Sequence, residues 1–75
     1  MPVIEINVIE GAFTHEEKRE IVERLTEALL EIGGEGIRAK THALIIETPS
    51  GEWAVGGRAL ATEDVHSMRS TEAAA

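Results

Sequence analysis

Two stretches rich in β-branched residues, PVIEINVIE at 2–10 and THALIIE at 41–47, flank one segment of helical periodicity, and that order limits what the chain can fold into. In the first stretch Ile4, Ile6 and Val8 alternate with Val3, Glu5, Asn7 and Ile9, which predicts a strand from about Pro2 to Ile9, broken by Gly11. Thr14 and Glu17 form a capping-box pattern, and Glu16 and Glu17 suit the positive end of a helix dipole. Ile21, Val22, Leu25, Ala28, Leu29 and Ile32 then recur at helical spacing as one apolar stripe. Glu20 and Arg24 can pair one turn apart, and Gly33–Gly34 supplies a left-handed stop, so a helix is expected over about 15–32. A strand, a helix and a second strand of these lengths make a βαβ unit, with parallel strands and a right-handed crossover.

The remainder is shorter-range. GGEGIRAK reads as a glycine-rich connection, TPSGE as a turn, and WAVGGRAL as a short strand or hairpin around Gly56–Gly57. The tail ATEDVHSMRSTEAAA has little apolar periodicity and is expected to be an arm or a frayed end, with at most a helical turn after Thr62. The fold class is α/β: a single β-α-β unit with a short C-terminal hairpin. It forms one domain over 1–75, with its core in 1–60 and an arm in 61–75.

Face counting predicts a partner. His42, Leu44 and Ile46 share one side of the second strand and Ala43 and Ile45 the other, while the first strand is also apolar on both sides. One helix covers one face of a two-stranded sheet, and such a pair is weak alone. A chain this short buries only about 60% of its unfolded surface. With no cysteine there is no disulfide or thiolate metal site to help, and His15, His42 and His66 lack metal-ligand spacing, so a second copy of the chain is the economical support.

The net charge of −7, without a basic stripe, argues against nucleic acid or an anionic membrane as partner. No stretch approaches the ~20 apolar residues of a membrane span. The N-terminus carries acids within its apolar run, unlike a signal segment, and the expected location is the cytoplasm.

Pro2 is the chemical oddity. At the head of a strand it has no N–H to give a ladder, but after removal of Met1 it would present a secondary amine on a rigid ring. A proline opening a strand, IEG closing it, a capped helix, a strand ending IIE and then EWAVGG follow in an order that resembles the 4-oxalocrotonate tautomerase family, from Pro2 to about Gly57. The resemblance implies loss of Met1, a homo-oligomer, usually a hexamer built as a trimer of dimers, and active sites near subunit contacts. It also implies a Pro2 amine that moves a proton between carbons of a small acid substrate, with no cofactor. Such an amine titrates near neutral pH, and dry surroundings or a nearby cation lower its pKa further. Family members that act on dicarboxylates carry an arginine after EG and another five residues before the strand's glutamate. Here those positions are Ala12 and His42.

The substrate contacts expected from the resemblance are His42, Trp53 and the backbone near Ile9. Arg58, ahead of Arg38 and Lys40, is the favoured replacement cation. The function expected is a tautomerase or isomerase of a small α-keto or unsaturated acid. Two alternatives stay open: a hydratase or dehalogenase using the same proline with a second acid such as Glu47 or Glu52, and a non-catalytic oligomerising module. Each site residue also has a plain structural use. Proline blunts a strand end, a strand histidine packs, a lone tryptophan anchors an interface, and Gly56–Gly57 make a turn.

Overall fold

The computed structural model describes the backbone of residues 1–74 and the side chains of residues 1–71. In chain order it contains β1 (Val3–Ile9), α1 (His15–Gly33), a 3-10 segment (Glu35–Lys40), β2 (His42–Thr48), β3 (Trp53–Val55), β4 (Arg58–Leu60) and α2 (Thr62–Ala74). Strands β1 and β2 form a two-stranded parallel sheet, and β3 and β4 a second, antiparallel one. At one end of the parallel pair the His42 N–H donates to the Pro2 carbonyl at 3.0 Å; at the other the Glu10 N–H donates to the Thr48 carbonyl at 2.8 Å. Contacts divide the chain into two compact units, Met1–Ile6 with Thr14–Ile46, and Asn7–Phe13 with Glu47–Ala75.

In the first unit α1 begins as the sequence predicts. The Thr14 hydroxyl accepts the Glu17 N–H at 3.1 Å, and the Glu17 carboxylate accepts the Thr14 N–H at 2.9 Å. This reciprocal pair satisfies two donors that a helix start leaves open. Gly34, at φ +94°, ends the helix with its N–H on the Leu30 carbonyl at 2.8 Å. The buried face of α1 matches the expected stripe only in part: Ile21, Val22 and Leu29 turn inward, and Leu25, Ala28 and Ile32 do not. Val22, Thr26 and Leu29 are half-buried and Leu30 is buried, whereas Leu25 is at the edge of exposure and Ile32 is 90% exposed. Residues 22, 26, 29 and 30 lie along one side of the helix, and 21, 25, 28 and 32 along a neighbouring one. Thr26 hides this from the sequence: it reads as polar, yet its hydroxyl donates to the Val22 carbonyl at 2.7 Å and needs no water.

Burial alternates along the sheet. Ile4, Ile6, Ala43 and Ile45 are half-buried, while Val3, Glu5, His42, Leu44 and Ile46 are exposed. Only Ile9, Ala12 and Leu30 are buried hydrophobic residues among those described. The glycine-rich connection is more regular than expected. Arg38, within the 3-10 segment, donates to both Glu27 and Glu35, closing the segment against α1.

In the second unit β3 and β4 pair in the register Trp53↔Leu60, Ala54↔Ala59 and Val55↔Arg58, leaving a two-residue turn at Gly56–Gly57. Both glycines have positive φ, +59° and +83°, as a tight hairpin turn of matching twist demands. The tail is not an arm: Thr62–Ala74 is helical, and residue 75 lies outside the described residues. Its start is fixed by side chains rather than by an apolar stripe. The Asp64 carboxylate accepts the Ala61 N–H at 2.8 Å, and the Ser50 hydroxyl accepts the Thr62 N–H at 2.8 Å.

Candidate active site

Pro2 sits half-buried immediately ahead of β1. It brings no N–H to the ladder, but its carbonyl is used, by the His42 N–H at 3.0 Å. That bond, with the locked φ of proline, fixes the ring at the start of the sheet. With Met1 attached, the ring nitrogen is an amide nitrogen without a basic lone pair; removal of Met1 converts it to a secondary amine. His42 is thus beside Pro2 through its backbone, and it is exposed on the same face as Leu44 and Ile46.

The second unit holds an apolar cavity of about 220 Å³ lined by Val8, Ile9, Ala12, Phe13, Trp53, Leu60, Val65 and Met68. Ile9 and Trp53, both expected at the site, meet here. Trp53 is placed by its pairing with Leu60 across the hairpin. Ile9 is held at the end of β1, where its carbonyl accepts the Ala12 N–H at 3.0 Å. Ala12 contributes a methyl group to the wall, and it is only 2% exposed. No ionisable side chain lines this space.

The cations are elsewhere. Arg58 is exposed opposite Val55 in the hairpin register and does not line the cavity. Arg38 is committed to a carboxylate pair: Nη1 and Nη2 donate to the two oxygens of Glu27 at 2.6 and 3.0 Å, and Glu35 takes further bonds. These hydrogen bonds, and secondarily the charge of Arg38, hold the Glu27 and Glu35 carboxyls below the ordinary value of 4.5. The same bonds raise the pKa of Arg38. Lys40 is exposed at the end of the 3-10 segment. In the first unit a cleft of about 380 Å³ gathers His15, Lys18 and Arg19 with Val22, Ala43, Leu44 and Ile45. His15 is exposed there, in the first turn of α1. Among the described residues no group of three or more His, Cys, Asp or Glu could hold a metal, and no helix is long and apolar enough to cross a membrane.

The sequence reading missed Phe13, Leu60, Val65 and Met68 as cavity residues. Val65 and Met68 come from α2 and stand three positions apart, a spacing that places them on one side of a helix. That signal is legible only once the tail is known to be helical.

Comparison with known proteins agrees with this architecture. Residues 2–63 match a family described as tautomerase enzymes. A structure from work on the 4-oxalocrotonate tautomerase isozymes of Methylibium petroleiphilum is 32% identical, with a TM-score of 0.68, covering 77% of this chain and 90% of that one. TomN, a 4-oxalocrotonate tautomerase homologue in the tomaymycin biosynthetic pathway, is 30% identical, with a TM-score of 0.70, over 92% and 95% of the two chains. YwhB, another homologue of 4-oxalocrotonate tautomerase, is 33% identical, with a TM-score of 0.67, over 84% and 97%. No curated protein matches. The β-α-β unit, the hairpin and the match across residues 2–63 together place the chain in the tautomerase enzyme family.

Proposed function

We propose that this protein is an isomerase of the tautomerase type in which the Pro2 amine, freed by removal of Met1, is the general base. The nitrogen lone pair takes a proton from an enol oxygen or from a carbon beside a carbonyl of a small α-keto or unsaturated acid. The resulting ammonium returns the proton to another carbon, so the substrate is isomerised and the enzyme is regenerated without a cofactor. The observation that carries this reading is the setting of Pro2: a rigid ring, half-buried, anchored through its carbonyl to His42 at 3.0 Å, in a family match that starts at that residue. A general base of this kind is effective when its pKa lies near the working pH, and burial moves an amine's pKa down toward that range. Substrate contacts are assigned to Ile9, His42, Trp53 and Arg58.

The same reading includes a cytoplasmic homo-oligomer, a hexamer made of three dimers. The similar solved structures named for 4-oxalocrotonate tautomerase or its homologues support the reaction type. The wall methyl of Ala12 favours a substrate other than a dicarboxylate.

The test begins with the intact mass of the purified protein, which should lack one methionine. Ketonisation of phenylenolpyruvate should then be measurable, and Pro2→Ala should lower kcat/KM by about 10²- to 10⁴-fold. Hydration of an alkynoic acid, assayed alongside, should be negligible. Uniform retention of Met1, or full activity in Pro2→Ala, rules the proline out as the base.

A further inference from the structure

In α2, Thr62, His66 and Arg69 stand at i, i+4 and i+7, one side of a helix, and each reaches one of three successive carbonyls in the turn after β1. The Thr62 hydroxyl donates to the Glu10 carbonyl at 2.6 Å, His66 Nε2 to the Gly11 carbonyl at 2.8 Å, and Arg69 Nη1 to the Ala12 carbonyl at 2.7 Å. Since a carbonyl only accepts, His66 carries its proton on Nε2 in this contact. The Arg69 guanidinium also lies over the Phe13 ring, 4.5 Å from its centroid. The helix is therefore fastened to the turn that contributes Ala12 and Phe13 to the cavity, while an adjacent side of the same helix contributes Val65 and Met68. The family match ends at residue 63, so both the fastening residues His66 and Arg69 and the wall residues Val65 and Met68 lie beyond it.

We propose that the cavity of the second unit is a binding site for a single aromatic ring or branched aliphatic group, and that α2 is the wall that selects it. The volume fits: an apolar cavity of about 150 Å³ is known to take benzene, and this one is about 220 Å³. The chemistry fits as well. All eight lining side chains are apolar, two of them aromatic, so a ring gains stacking and burial. A carboxylate in the same place loses its water and meets no cation in the wall. The assignment concerns the second unit alone and stands apart from the proposed base.

The experiment uses full-length Pro2→Ala protein, labelled with ¹⁵N, so that turnover does not interfere. Trp53 is the only tryptophan, and its indole N–H gives one resonance that reports the cavity wall. Phenylpyruvate and 2-oxoglutarate share the 2-oxo acid head and differ in the tail. Phenylpyruvate should shift this resonance with a Kd at least about tenfold below that of 2-oxoglutarate. Met68 is 52% exposed, so Met68→Glu should fold, and it should raise the phenylpyruvate Kd about tenfold while leaving that of 2-oxoglutarate unchanged. Equal affinity for the two acids, or an unchanged phenylpyruvate Kd in a folded Met68→Glu protein, overturns the assignment. The proposed base is judged separately, by the activity of Pro2→Ala, so binding without proline-dependent catalysis and catalysis without this binding are distinct results.

Discussion

Gly11 and Arg38 show how single residues carry constraints that composition does not express. Gly11 has φ +82°, and a Cβ placed there would stand 3.1 Å from the Thr62 methyl. Only glycine adopts that backbone without strain, and the turn it makes presents its own carbonyl to His66. Gly11→Ala should lower stability by about 1–2 kcal/mol in chemical denaturation. No change would show that the turn relaxes freely. Arg38 offered itself from the sequence as a substrate cation, and the structure gives it to Glu27 and Glu35 instead. Both carboxyls have folded pKa values below 4.5, so the stability they add is complete above that pH and is lost as pH falls through the lowered values. Arg38→Gln should therefore flatten the fall in stability on acidification below the ordinary carboxylate value of 4.5, as read by thermal melts. The pair is exposed, so the effect should be modest and weaken in salt.

The elements divide by how their order is secured. Helix α1 states its start, its stop and most of its period in the sequence, and the structure moves only its buried face, from the row containing Leu25 and Ile32 to the row containing Thr26 and Leu30. Helix α2 states little, because polar side chains donating to backbone carbonyls fasten it in place of a broad apolar stripe. A helix of 13 residues is marginal alone, so these anchors decide whether it forms. Arg69→Ala removes a charge-assisted bond and a cation–π contact, together about 1–3 kcal/mol. The expected outcome is amide hydrogen exchange across α2 faster by about tenfold or more, with α1 unaffected. Equal acceleration in both helices would mean that Arg69 stabilises the chain globally rather than this element.

At the scale of the whole molecule, burial is what the single chain lacks. Three buried hydrophobic residues among those described make a poor core for an independent chain. Beside Glu5 and His42, the side chains of Val3, Leu44 and Ile46 stand open on one face of the first unit's sheet, at 57%, 45% and 39% exposure. On α1, Leu25, Ala28 and Ile32 form an outward row, with Ile32 at 90%. Self-association is the proposal that covers such surface. Sedimentation at micromolar concentration should give a species larger than a monomer. Leu44→Glu, which sets a charge in the open face, should shift the distribution toward monomer and lower the thermal midpoint with it. A stable monomer in the unmodified chain would remove the proposal.

Elements with local causes were legible in the order of residues alone: the Thr14–Glu17 cap, the glycine stop of α1, the Gly56–Gly57 hairpin and the parallel pairing that a strand-helix-strand order forces. Ile9 and Trp53, expected together from the family resemblance, do line one cavity. Tertiary structure decided what depends on partners distant in sequence. It chose which row of α1 is buried, because Thr26 hides its hydroxyl on a local carbonyl. It assigned Arg38 to two glutamates rather than to a ligand. It turned the tail into a helix whose Val65 and Met68 close a cavity with Trp53, because the turn after β1 offers three carbonyls in a row that no pattern within residues 61–75 could announce.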